Sequence, residues 1–345
     1  MPALDAHLPS PIEAIASTHA ARGAPRIAAF FALLTLLAVL LDAFIGQGLR
    51  RLNSGDFGEW NRIVRGEVNA DLIINGSSRA QTHYDPRLIS AATGLSAHNI
   101  GLNGSQTDMQ LARLKTYLKH NRKPKWVIQN LDVFSLQVSH REVYDPGQYI
   151  PYLDEPVLYA ALSAVNADTW KARWLPLYGY AAFDLRFGWL QALRYWLGIA
   201  DGSAPQAFDG FRPHRVEWTG EFEAFRARHP DGTAVAIEPE GIAQLSELLR
   251  LCGSMGIGVV LVYSPEYNEV QPLTINRAEV FARFAALADR HRVRLIDFSM
   301  SPIGARKELF YNSQHLNADG AAAFTRELTA RLDLTKSAAS VGGVR

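Results

Sequence analysis

Two residues far apart in the chain have the types that nucleophilic catalysis requires. In LIINGSSRAQTHYDP, Leu72 to Pro86, an apolar stretch gives way to Gly76, Ser77, Ser78 and Arg79 before Asp85-Pro86 opens the next helix. A serine at a strand-to-helix turn holds its hydroxyl at the carboxyl edge of a sheet, where the backbone N–H groups of the turn can stabilise an oxyanion. The hydroxyl still needs a base. His315 in YNSQHLNADG is the candidate, and Asn312, three residues earlier, can orient the ring through its other nitrogen. Two further clusters, GLNGSQTD around Gly104 and QNLDVF with Asn130 and Asp132, follow other expected strands. Arg79 has two readings: a clamp for a substrate carboxylate or phosphate, or a surface salt bridge. Glu266 and Tyr267 in SPEYNEV lie on a loop at the edge where substrate would bind, and Asp297 ends a strand or caps the turn after it.

The elements that must position these residues alternate. Strands are expected at Asp71 to Asn75, Ala97 to Ile100 and Trp126 to Leu131, with helices after Pro86 and over Thr107 to His120. The pattern resumes with a helix from Pro239 to Cys252, the strand IGVVLVY, a helix from Asn276 to His291, the strand VRLIDF and a final helix capped at Asp319 and ending near Leu332. Such alternation predicts an α/β fold, a three-layer parallel sheet whose ligands bind beyond the strands' carboxyl ends. From Ser139 to Val235 no alternation is legible, yet 18 of the chain's 35 Phe, Tyr and Trp residues fall there. Either they fill the core of an inserted subdomain, or Trp170, Trp174, Trp189 and Trp196 belong to a cap that stacks on sugar rings or acyl chains.

The order and placement of these motifs resemble the SGNH (GDSL-like) hydrolase superfamily. Gly76-Ser77-Ser78 is similar to its first block, with Ser78 in the nucleophile place and Ser77 where the family often has Asp. Gly104 matches the second block, an oxyanion glycine, and HLNADG matches the last, which makes His315 the base. The resemblance covers residues 70–137 and 240–333 and implies a flavodoxin-like sheet. It has two departures. The third block reads Asn130-Leu131-Asp132, placing an acid where an oxyanion Asn is expected, with Asn130 the alternative donor; Asn312 stands in place of the last block's Asp, so that Asp132 or Asp297 would have to supply the missing charge.

Before the first strand, Ile27 to Leu41 carries no charge, and the apolar run resumes after Asp42 to Leu49. That is enough helix to cross a bilayer core of ~30 Å, with no convincing cleavage site after it. The expected organisation is a disordered tail at 1–25, a transmembrane anchor at 26–50, a polar connector at 51–69, the main domain at 70–335 with an insertion at 139–235, and a flexible tail at 336–345. Arg22 and Arg26 precede the span while Arg50, Arg51, Arg62 and Arg65 follow it, so charge alone favours keeping the main domain inside. Taken with the anchor, the resemblance implies the reverse: a single-pass protein of a bacterial inner membrane with its domain in the periplasm or outside. A formal net charge of +1 argues against nucleic acid as a partner, and the lone Cys252 excludes an intramolecular disulfide framework. No metal, nucleotide or redox cofactor is required. The function so implied is acyl transfer or ester hydrolysis, O-acetyl in type, on a cell-surface or secreted polysaccharide through an acyl-Ser78 intermediate, commonly beside a multi-pass membrane acyltransferase. A plain lipid esterase and an impaired binding or assembly subunit are the other readings.

Overall fold

The structure, a computed structural model, describes residues 11–183, 186–199 and 208–334. Helix α1 (Pro11–Leu49) contains the apolar span and already begins within the stretch expected to be a disordered tail. Pro11 suits a first helical turn and the Ala-rich residues after it are good helix formers, so a helix secured by the span propagates back toward the N-terminus. Residues 1–10 and the tail expected at 336–345 lie outside the described residues. The connector is also corrected: α2 (Gly55–Val64) occupies most of it, because Phe57, Trp60 and Ile63 fall on one face and are buried.

The main domain then runs β1 (Leu72–Asn75), α3 (Ser78–His83), α4 (Pro86–Thr93), β2 (Ala97–Asn99), α5 (Thr107–His120) and β3 (Trp126–Leu131). The insertion contributes a 3-10 turn at Pro146–Tyr152 and the helices α6 (Pro156–Val165), α7 (Thr169–Trp174), α8 (Tyr178–Ala182), α9 (Arg186–Trp196) and α10 (Glu221–Arg228). After it come α11 (Pro239–Ser254), β4 (Gly258–Tyr263), α12 (Arg277–His291), β5 (Arg294–Asp297), the short strands β6 (Phe310–Asn312) and β7 (His315–Leu316), and α13 (Ala318–Arg331). The cap of α13 is Asn317, whose side chain accepts from Gly320 N–H, rather than Asp319.

Five strands form one parallel sheet in the order β2-β1-β3-β4-β5, the expected fold class. Both faces are covered, so β4 reads as a continuous apolar run and β1 and β3 open on apolar triplets before their buried amides, Asn75 and Gln129-Asn130, and alternate residues enter different cores. Ile73, Val127 and Leu261 pack with α5, α11 and α12 through Leu114, Leu248 and Phe284. Leu72, Ile74, Ile128 and Val262 pack with α3, α4 and α13 through Tyr84, Ile89 and Phe324. A third cluster joins the end of α1 (Ile45, Leu49) to Trp60 of α2 and to Tyr149, Tyr152 and Leu158 of the insertion.

Candidate active site

The turn between β1 and α3 is built to expose one hydroxyl. Gly76 has φ +147°, and a Cβ there would meet Asn130 Cβ at 2.8 Å and Ala80 Cβ at 2.9 Å, so the chain can turn only with glycine. Ser77 is the N-cap of α3, its Oγ accepting from Arg79 N–H at 3.3 Å while its own hydroxyl donates to Asp132 Oδ2 at 2.7 Å. Ser78 is therefore the first residue of the helix and half-buried, its N–H among those a helix start leaves without an intrahelical acceptor.

His315 arrives from the other end of the chain on a short antiparallel hairpin, an element that shows no strand pattern in sequence. In β6–β7, Asn312 and His315 are direct cross-strand partners, which is how a spacing of three brings their side chains together. Ser78 Oγ lies 2.8 Å from His315 Nε2, and His315 Nδ1 lies 2.9 Å from Asn312 Oδ1. The proton positions follow from the remaining bonds. Asn312 Oδ1 also accepts from the backbone N–H groups of Gln314 (3.1 Å) and His315 (3.0 Å), so the amide oxygen faces the ring. Nδ1 must then donate, which leaves Nε2 unprotonated and ready to accept from Ser78. The Asn312 amide NH₂ points away and donates to Glu221 Oε2 at 3.2 Å, at the start of α10. A carboxylate of the insertion thus stands behind Asn312.

The imidazole is strongly held neutral. Burial lowers the His315 pKa to about 3, and the Arg79 guanidinium, with His214 after it, acts in the same direction. Its ring stacks on Tyr311 (centroids 5.3 Å apart, planes at 14°), which in turn stacks on His214 at 4.8 Å. Buried His83, five residues after Ser78, fixes the backbone beside the base: its Nε2 accepts from Leu316 N–H at 3.0 Å, so its Nδ1 carries the proton toward Ser264 Oγ at 2.9 Å. Its pKa is also held well below the usual histidine range, chiefly by burial. Tyr267 N–H donates to Ser313 O at 2.9 Å and braces the hairpin turn.

Several expected substrate contacts turn out to be internal. Arg79 is 2 % exposed, its guanidinium donating to the carbonyls of Ser264 and Pro265 and lying 4.7 Å over the Tyr263 ring. It is neither a clamp at the surface nor a surface salt bridge, because from the second position of α3 it turns under the sheet's edge and ties down the β4 loop. Glu266 is equally buried and occupied: Arg277 Nη1 lies 2.6 Å from Oε1, and Tyr263 donates to Oε2 at 2.8 Å. Asp132 is taken by Ser77 and by Phe134 N–H at 3.1 Å, and Asp297 caps its turn by accepting from Ser299 N–H at 2.7 Å, so neither replaces the missing charge at Asn312. Asn130 lies fully buried beneath Gly76, its Oδ1 accepting from Tyr84 at 2.7 Å and its Nδ2 without an acceptor among the described residues. Gly104 is exposed on the loop after β2 with φ +64°, and Tyr144 of the insertion sits where a Cβ would be.

The insertion has two parts with different neighbours. Residues 208–222 run past the site, with Asp209 O accepting from Asn99 N–H, Arg212 N–H donating to Gln81 O, and His214 O accepting from Ala318 N–H. They bring in His214 and Glu221, which sequence reading missed because nothing local distinguishes them from other polar residues. Trp170, Trp174, Trp189 and Trp196 belong to the other part, on α7 and α9. Trp196 packs on α1, stacking on Phe44, and none of the four is among the residues contacting Ser78 or His315.

No family model matches the chain, and no curated protein matches it. Solved structures do. One is described as a platelet activating factor from Streptococcus pneumonia, with 12% identity, a TM-score of 0.41, and coverage of 88% of this chain and 98% of that one. A GDSL-like lipase from Bacteroides thetaiotaomicron has 9% identity and a TM-score of 0.36, covering 75% of this chain and 87% of that one. A catalytic mutant of an acetylxylan esterase from Geobacillus stearothermophilus has 10% identity and a TM-score of 0.38, covering 77% and 96%.

Proposed function

We propose that the protein is an SGNH-like serine acyl-transfer enzyme held to a membrane by α1. The observation that carries this reading is the chain of contacts from Ser78 Oγ to His315 Nε2 and from Nδ1 to Asn312, with the proton placed so that the base can accept. Ser78 attacks an ester carbonyl while His315 takes its proton; the carbonyl oxygen gains charge beside the N–H groups of Ser78 and Gly104. Collapse of the intermediate expels the alcohol, which takes the proton back from His315 and leaves an acyl-Ser78. Water or a sugar hydroxyl then attacks the acyl carbonyl while giving its proton to His315; the bond to Ser78 Oγ breaks, Oγ takes that proton back, and the free acid or the new ester leaves. In the reading we favour the acyl group is of the O-acetyl type and the carrier a cell-surface or secreted polysaccharide, handled outside a bacterial inner membrane beside a multi-pass membrane acyltransferase. Helix α1, with Pro25–Leu49 long and apolar enough to cross a membrane, supports the anchor.

The neutral Asn312 favours a second reading, a binding or assembly subunit that keeps the fold without turnover. Labelling the detergent-solubilised protein with a fluorophosphonate separates the two. Labelling that Ser78→Ala and His315→Ala both abolish supports the enzyme; a folded parent that stays unlabelled leaves the assembly reading.

A further inference from the structure

Most of the large apolar side chains that the domain leaves in solvent come from one stretch of the chain, beside the end of α1. Outside α1, the described ones are Tyr144, Val216, Ile275, Met300 and a group between Trp170 and Ile199. That group includes Trp174 and Leu197, 66% and 63% exposed, together with Trp170, Trp189, Leu190 and Ile199. Aromatic and aliphatic surface of this extent is costly in water and marks an interaction site.

Its position says what covers it. Helices α8 and α9 pack on α1 between Asp42 and Arg51. Leu177 N–H, directed by a φ of +65°, donates to Asp42 Oδ1 at 2.8 Å. Trp196 donates to Phe44 O at 3.1 Å and stacks on the Phe44 ring, Ala192 fills the space beside Gly48, and Arg51 lies 4.9 Å over Trp196. At 1.5 Å per residue, Pro25 to Asp42 rises ~25 Å, so a span entering near Pro25 leaves a core of ~30 Å just beyond Asp42. The insertion therefore grips the anchor at the level of the bilayer surface, where it also gives the one acidic residue of the span a hydrogen-bond donor. Tryptophan favours that depth, its ring among acyl chains and its N–H near the headgroups.

We infer that α7–α9 and the residues through Ile199 form a collar that lies in the bilayer interface around the emerging anchor, with lipid as its occupant. This rests on the reading of α1 as a membrane anchor. The collar turns a single-helix attachment into a two-point one and fixes the tilt of the domain.

The span from Pro25 to Leu49 contains no tryptophan, so bromine quenching cannot come from the anchor; of the chain's seven tryptophans four lie in the collar, and of the other three Trp60 and Trp126 are buried in the domain while Trp218 lies beside α10. The full chain is reconstituted in phosphatidylglycerol vesicles containing brominated phosphatidylcholine, and flotation in high salt is scored separately. The expected result is flotation together with loss of the emission that Trp170, Trp174, Trp189 and Trp196 contribute. The triple variant Trp170→Phe, Trp174→Phe, Trp189→Phe, shown by its melting curve to be folded, should float as well and lose most of the quenchable fraction. Flotation of the parent without quenching overturns the collar and leaves the anchor intact, pointing to a protein occupant for the patch. Failure to float overturns the anchor and the collar with it.

Discussion

Replacing Asn312 by Asp, together with Glu221→Gln, should move the titration of His315, the proposed base, by an amount the geometry sets. In the parent, burial, Arg79 and His214 hold His315 neutral down to about pH 3, and its Nδ1 partner carries no charge. A carboxylate centred about 4 Å from the ring would favour the imidazolium by about 4 kcal/mol at an effective dielectric of about 20. That corresponds to about three pH units. The hairpin is half-exposed, and solvent screening reduces the shift to about two. The second substitution is needed because Glu221 Oε2 lies 3.2 Å from Asn312 Nδ2; two carboxylates there would share a proton and mask the effect. The assay is the second-order rate of fluorophosphonate labelling across pH, which follows the unprotonated fraction of the base in the free enzyme. The parent should hold its rate down to about pH 4, and the double variant should show an acid limb with its midpoint near 5. Glu221→Gln alone should leave the midpoint where it is. A parent whose rate falls with a midpoint between 6 and 7 would refute the argument for a depressed, neutral imidazole, and an unshifted double variant would refute direct contact between residue 312 and the ring.

Arg79→Met should lower stability by about 3–5 kcal/mol, because it strips donors from the buried carbonyls of Ser264 and Pro265 and leaves Glu266 with one cation fewer; chemical denaturation measures it, and an unchanged midpoint with a raised KM would restore the clamp. Gly76→Ala should cost more than about 2 kcal/mol, since it combines a disfavoured φ with the clash against Asn130. His83→Leu should keep Ser78 in place yet slow labelling, as Leu316 N–H loses its acceptor and His315 is no longer fixed; an equal rate would show that the hairpin holds itself. Both His83 and His315 have pKa values below that of an unfolded histidine, so below about pH 6.5 the unfolded chain binds more protons. Stability should therefore fall as pH drops from there, and His83→Leu should flatten that slope in urea melts.

What the chain alone reveals follows the physics of each element. Strands β1, β3 and β4 are legible because a parallel sheet covered on both faces leaves runs of three or more apolar residues without alternation, and α5 because its pattern is long enough to repeat. Helix α2 is hard to read from sequence because it is short, with three large apolar residues, Phe57, Trp60 and Ile63, among polar ones. Ser78 and His315, 237 positions apart, could be paired because each follows a strand end that fold topology brings to one edge. Arg79 could not be placed the same way, since a guanidinium at a helix start is ordinarily solvated and only tertiary structure shows it turning inward. Glu221 reaches Asn312 across 91 positions through an insertion without periodicity, and no local signal joins them. The tryptophans were noticed for their chemistry, but whether an aromatic meets sugar, core or lipid is decided by its neighbours in space.

Helix α1 enters the domain without a break: Ile45 and Leu49 are already part of the third core cluster, and Asn61 Nδ2 donates to the carbonyls of Leu49 and Leu52 at 2.8 and 2.9 Å. A soft tether would let the catalytic end explore a hemisphere and meet targets at many heights. A stiff mast allows only rotation about its own axis and drift in the plane of the membrane. With α1 as the anchor proposed above, Ser78 would travel at one altitude, and a polysaccharide threading outward would be met at the same distance from its exit each time, so the spacing of modified units would record the ratio of export speed to turnover.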